Sequence, residues 1–224
     1  ARRMKPTNLL HIALISICIQ PATGADWKPA YSNNFSAAKV GEDEPEGLLI
    51  LDGSFEVAET DGNKSLMLPA EPLEEFGFLF GPRIPGDLAV QCGFLSERKG
   101  RRTPTFSIAL GGVTGFRLKL NTPHRKLQLL KDKKVVAETS FIWKSGEWLT
   151  LRLERRNITK EGTWQILARA WHGEDSQAEW SLKHMTTAKQ SAGKCSVWAA
   201  PYSTEAIYFD DIKVFSTLIA PNSQ

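Results

Sequence analysis

The chain is built of short runs in which hydrophobic and polar positions alternate, each closed by a turn-forming pair. "LLILDGSFEVAE" breaks at Asp52-Gly53 and "ETDGNKSLML" at Asp61-Gly62. "TFSIALGGVTGFRLKLN" reads as two strands around Gly111-Gly112, and "RKLQLLKDKKVVAETSF" as a hairpin turning at Lys131 to Lys133. Neighbouring side chains of a strand point to opposite faces. "GEWLTLRLERR" therefore sets Trp148, Thr150 and Arg152 against Leu149, Leu151 and Leu153. "GTWQILARAWHG" likewise sets Arg169 and Trp171 against Ile166, Ala168 and Ala170. No stretch carries the period of a long amphipathic helix. About a dozen strands at this spacing predict an all-β, antiparallel β-sandwich.

The closing run, "IYFDDIKVF" from Ile207 to Phe215, holds two adjacent carboxylates. A regular pleat puts Asp210 on the buried face with Ile212 and Val214, and leaves Asp211 and Lys213 in water. An acid on a core face needs a hydrogen-bonding or ionic partner.

The N-terminal stretch departs from this pattern. Arg2, Arg3 and Lys5 precede an apolar run from Leu9 to Ile19, then Pro21 and small residues. That order is the one a secretory signal has, with cleavage after Gly24 or Ala25. The run is shorter than the ~20 residues a membrane span needs. The expected organisation is a signal peptide over 1–25, one domain over 26–218 and a tail over 219–224. An exported chain that is periplasmic, envelope-bound or extracellular follows. Export places Cys92 and Cys195 in an oxidising compartment, where they either pair or persist as buried, inert thiols.

Charge and motifs exclude more than they assign. Lys and Arg number 28 against 25 Asp and Glu, a net +3, which gives no basic face for nucleic acid. Gly-x-Ser-x-Gly, His-Glu-x-x-His and phosphate-loop motifs are absent. His124, His172 and His184 are scattered, without local catalytic partners. The basic loops "SERKGRR" and "TPHRKLQ" read as solvated, with contact to an acidic glycan or an envelope surface as the alternative.

Several segments resemble concanavalin A-like jelly-roll domains. "YSNNFS" is similar to their first strand, and "GEDEPEGLLILDGSFEV" to the stretch entering the second. "KSGEWLTLRLE" resembles their central strand, and "GTWQILARAWHGEDSQAEW" a strand that carries a Trp and then a polar turn. "GKCSVWAAPYSTEAIYFDDIKV" resembles the final hairpin. The likeness runs from Trp27 to Ser216, nearest to exported bacterial domains of planctomycete and verrucomicrobial type. It implies a fold and leaves the activity open, because this superfold hosts lectins, hydrolases, lyases and adhesion modules. The resemblance also implies a structural calcium ion at the sandwich edge. Asp210 matches the last-strand ligand, and Asn34 and Asp43, with Glu42 and Glu44, are the co-ligands suggested by chain proximity. The alternative is an Asp210 that accepts backbone hydrogen bonds.

Sugar rings stack on indole and phenol faces, and Arg or Asn supply hydrogen bonds. Trp148, Arg152, Trp171, Trp198 and Tyr202 are the candidate ligand-binding residues if they share one face; packing in the core or rim is the alternative. The Glu-x-Asp-x-x-Glu run of hydrolases of this fold is missing, as are the lyase clusters. The expectation is a non-catalytic module that binds carbohydrate or a cell-envelope component. A glycoside hydrolase or lyase, such as a 3-keto-disaccharide hydrolase-like enzyme, is one alternative. The other is a structural subunit of an extracytoplasmic assembly.

Overall fold

The computed structural model describes residues 26–217 apart from 44, 71–73, 160–161, 174–178 and 203–204. The expected signal peptide and C-terminal tail lie outside the described residues. The first half of the chain supplies β1 (Lys28–Asn33), β2 (Leu48–Asp52), β3 (Glu56–Thr60), β4 (Asn63–Leu68), β5 (Phe76–Phe80), β6 (Leu88–Ser96) and β7 (Thr105–Ala109). The second half supplies β8 (Arg117–Asn121), β9 (Lys126–Lys131), β10 (Lys134–Ser140), β11 (Leu149–Asn157), β12 (Trp164–His172), β13 (Leu182–Thr186), β14 (Cys195–Ala200) and β15 (Ile207–Ser216). One sheet, here sheet A, runs β13-β12-β11-β6-β15-β4-β3, with β1 also on β15. Sheet B runs β10-β9-β8-β7-β14-β5-β2. All pairs are antiparallel, as the alternation requires.

The inward sets of both sheets form one core. Leu149, Leu151 and Leu153 of β11 are wholly buried, as are Ile108 of β7 and Val197 of β14. Aromatic rings bridge the sheets: Phe94 lies 5.2 Å from Phe106, and Phe209 lies 5.8 Å from Phe78. Cys92 belongs to sheet A and Cys195 to sheet B, and both are free, buried thiols. Burial holds the Cys92 thiol well above its ordinary range and pushes Cys195 up to about 12, so neither is a nucleophile at neutral pH.

β15 departs from a regular pleat. Asp210 opposes Gly93 and Lys213 opposes Gln91, so Asp211 and Ile212 together face the single residue Cys92. This is a β-bulge, and Asp211 takes a positive φ of 49° within it. The extra residue inverts the phase of the strand. Ile207 and Phe209 before it, and Ile212 and Val214 after it, are all buried. Asp210 therefore does not share the core face of Ile212 and Val214. It sits half-buried on the outer side with Tyr208, while Asp211 is exposed as expected. The bulge also marks where the β15 edge passes from β4, along 207–209, to β1, along 212–216.

Arg155, near the end of β11, is 2% exposed and ties the crossovers between the sheets to sheet A. Its Nε donates to Gly86 O (2.9 Å), Nη1 to Ser191 O (3.0 Å) and Nη2 to Ile84 O (3.3 Å). The first and third acceptors lie between β5 and β6, the second between β13 and β14. Burial lowers the pKa of this guanidinium. Arg155→Ala strands three carbonyls and leaves a cavity; we expect a loss of at least about 3 kcal/mol in urea unfolding.

Candidate functional site

The sandwich separates the sequence-predicted aromatic residues. Trp148, Arg152 and Trp171 lie on the outer face of sheet A, and Trp198 lies on the outer face of sheet B. The single platform of five residues does not form. Tyr202 is half-buried in the connection from β14 to β15 and lines neither cleft described below.

Arg152 and Trp171 belong to a packed carpet. The Arg152 Nε donates to Glu154 Oε1 (2.7 Å), its Nη1 to Gln91 Oε1 (3.3 Å), and its guanidinium covers the Phe215 ring at 4.8 Å. Arg156 Nη2 takes the other Glu154 oxygen at 2.5 Å and lies near both Trp27 and Trp180. Trp171 is 7% exposed, with Arg169 over its ring at 5.0 Å. Neither residue presents a free surface to a sugar. Their alternation was legible, but alternation cannot say that an outward residue is covered by its neighbours.

Trp148 is different. Its indole rests on Gly93 of β6, half-buried at the mouth of a cleft of about 150 Å³. Tyr208 and Leu95 form the apolar part of the lining, and Thr60, Asp61, Asn63 and Ser65 supply the polar part. Asp61 and Asn63 flank the β3–β4 hairpin turn at Gly62, which is why polar groups reach this edge of the sheet. Asn63 Nδ2 donates to Asp210 Oδ2 (3.0 Å), and the Asp211 amide donates to Asp210 Oδ1 (2.6 Å). Tyr208 was missed in the sequence because the unmarked bulge reversed its facing, and Asn63 because only the pairing of β4 with β15 brings it to Asp210.

Of the three candidate calcium ligands, Asn34 follows β1 beside β15, where Asn33 pairs with Ile212, but Asp43 stands apart from Asp210. Asn34 Oδ1 accepts from Ser36 N (3.3 Å) and Ser36 Oγ (2.9 Å). Asp43 follows a segment whose backbone pairs with the far edge of β3, through Gly41 N to Val57 O and Val57 N to Glu42 O, both 2.8 Å. Strands β3 and β4 thus separate Asp43 from β15, roughly 14 Å at the ~4.8 Å spacing of strands. Ligands of one calcium ion lie at most about 5 Å apart. Among the described residues, no three His, Cys, Asp or Glu side chains group to hold a metal. Glu44 lies outside the described residues. Asp43 therefore cannot share an ion with Asp210.

On the outer face of sheet B, Trp198 seats its indole on Gly77, where any Cβ would come within 2.6 Å of the ring. Trp198 Nε1 donates to Ser196 Oγ (3.0 Å), and the Arg117 guanidinium lies 4.9 Å from the ring centroid. Beside it opens a cleft of about 340 Å³ lined by Glu75, Arg117, Lys119, Leu130 and Lys133, among others.

No family model and no curated protein matches the chain in sequence. Solved structures match it in fold. The metal-free carbohydrate recognition domain of Emp46p aligns with a TM-score of 0.58 at 15% identity, over 86% of this chain and 99% of that one. The GH131 β-glucanase catalytic domain from Podospora anserina aligns at 0.55 and 10% identity, over 86% and 97%. The carbohydrate-binding module CBM66 from Bacillus subtilis aligns at 0.51 and 12% identity, over 76% and 96%. The chain therefore has the antiparallel sandwich fold of the concanavalin A-like, lectin-type jelly rolls. No helix among the described residues is long and apolar enough to cross a membrane.

Partial burial pushes the Asp210 carboxyl above the usual aspartate value, against the donors on Asn63 and Asp211 that pull it down. An acid raised in this way holds its proton more tightly when folded. Its ionisation therefore weakens the fold at neutral pH, and the penalty shrinks as pH falls through the raised value and is gone below the ordinary one. Asn63→Ala is expected to raise the Asp210 pKa further, by carboxyl NMR titration. Its cost to stability is expected to shrink as pH falls toward the ordinary aspartate range.

Proposed function

We propose that the protein is a non-catalytic carbohydrate-binding module whose sugar site is the cleft between Trp148 and Tyr208. The observation that carries this reading is the pairing of two half-buried aromatic side chains with carboxamide, carboxylate and hydroxyl groups around one small cavity. Pyranose C–H faces take the rings, and their hydroxyls take Asn63, Asp61 and Thr60. A volume of about 150 Å³ suits one sugar residue of a longer chain. The recognition domain of Emp46p and the CBM66 module are named for carbohydrate binding, and their likeness in fold supports the same class here. Export through the N-terminal segment, and a glycan or envelope component as partner, belong to this proposal.

The GH131 neighbour keeps hydrolysis as the alternative to be tested. A glycan array read both for binding and for released sugar separates the two. Binding without product is expected, and Trp148→Ala should weaken it by roughly tenfold. Product release would overturn the non-catalytic reading, and absence of any glycan binding would overturn the site.

Calcium does not enter this reading. A bound ion would raise stability in proportion to RT ln(1 + [L]/Kd). The melting temperature is expected to be the same in millimolar calcium and in chelator. A rise with calcium that Asp210→Asn abolishes would restore Asp210 as a ligand.

A further inference from the structure

The cleft on sheet B is chemically unlike the one on sheet A. Its lining holds three cations, Arg117, Lys119 and Lys133, against two acids, Glu75 and Asp132. Glu75 spans the first two cations, with Oε2 at 2.8 Å from Arg117 Nη1 and Oε1 at 3.5 Å from Lys119 Nζ. This fixes the long cationic side chains before any ligand arrives, which lowers the entropy lost on binding. Among the described residues, the Arg117 Nε and Nη2 groups make no hydrogen bond, and Lys133 is exposed in a turn with a φ of 64°.

The apolar wall is also fixed. Gly77 from below, Ser196 at the indole nitrogen and Arg117 at the ring hold Trp198 in one position. Ser107 pairs with both Trp198 and Lys119 on this face, is wholly buried, and leaves its Oγ without a partner. A rigid indole edge and Leu130 therefore meet unengaged guanidinium and ammonium donors around about 340 Å³.

We propose that this cleft is a second binding site, for an anionic pyranose of uronate type. The sugar ring lies against Trp198 and Leu130, and its carboxylate is taken by Arg117 and Lys133. A guanidinium binds a carboxylate through paired N–H donors, and a neutral sugar cannot supply the acceptor charge. This site is independent of the Trp148 cleft.

The test follows the indole N–H resonances by NMR while glucuronate, glucose and acetate are titrated separately into the full chain. Glucuronate is expected to shift the Trp198 indole signal saturably, more weakly at high salt. Glucose and acetate at the same concentrations are expected to leave it in place. Lys133→Gln, at an exposed position, should weaken glucuronate by about threefold or more. An equal response to glucose removes the anionic selectivity, and an equal response to acetate reduces the cleft to an anion site; either overturns the proposal. So does a shift at Trp148 in place of Trp198, which would assign glucuronate to the first site. No shift at any indole overturns it as well, whatever the glycan array shows for sheet A.

Discussion

The sandwich depends on the bulge at Asp210 and Asp211. β15 is bonded to β6 along one edge and to β4 and then β1 along the other, so it joins the chain ends to the middle of sheet A. A regular strand would bury only one half of its apolar residues, because a one-residue slip moves each side chain to the opposite face. The inserted Asp211 lets Phe209 and Ile212 both face the core. Its cost is a left-handed backbone at a non-glycine residue. The Asp211 amide, displaced from the ladder, finds the Asp210 carboxylate at 2.6 Å. An acid at this position is thus explained by the backbone group that the bulge releases.

That same bulge builds the sheet A cleft. It turns Tyr208 and Asp210 outward together, beside the β3–β4 turn and over the strand where Trp148 rests. Elsewhere on that face, Glu154 receives Arg152 and Arg156, and the guanidiniums cover Phe215, Trp27 and Trp180. Cations spread over aromatic rings make a dry, fixed surface with little to offer a solute. The cleft is where this carpet ends.

The alternation of β11 and β12 was readable because each strand is regular, and its inward leucines and alanines are all buried, although several outward residues are covered as well. The fold followed from such runs. β15 was misread for the opposite reason: nothing in "FDDIK" separates a bulge from a pleat, since the φ of Asp211 is set by partners on β6. The aromatic candidates suffered from a similar gap. A strand pattern tells which side of its own sheet Trp198 occupies, but not that β14 lies in sheet B while β11 and β12 lie in sheet A. Arg117 and Lys119 in "GFRLKL" were not singled out, because only pairing through β7 brings them to Trp198.

Both clefts use one device, an indole lying on a glycine of a neighbouring strand, yet the two seats differ in tightness. Over Gly77 a Cβ would meet Trp198 ring atoms at 2.6 and 2.7 Å and the Val197 carbonyl at 2.6 Å, so no larger residue fits without moving the backbone. Over Gly93 the Trp148 ring stands 3.5 Å from such a Cβ, an ordinary contact, and the Asp210 carbonyl is the closer atom at 3.2 Å. Glycine is therefore required beneath the Trp198 indole, whereas a side chain at Gly93 would be crowded chiefly by the Asp210 carbonyl. A locked ring flanked by pre-placed cations suits a ligand recognised by charge at a fixed distance. The Trp148 ring faces hydroxyl, amide and carboxylate groups, a lining suited to the hydroxyls of a sugar. The two faces of the sandwich thus set different chemistry beside an indole seated on a glycine.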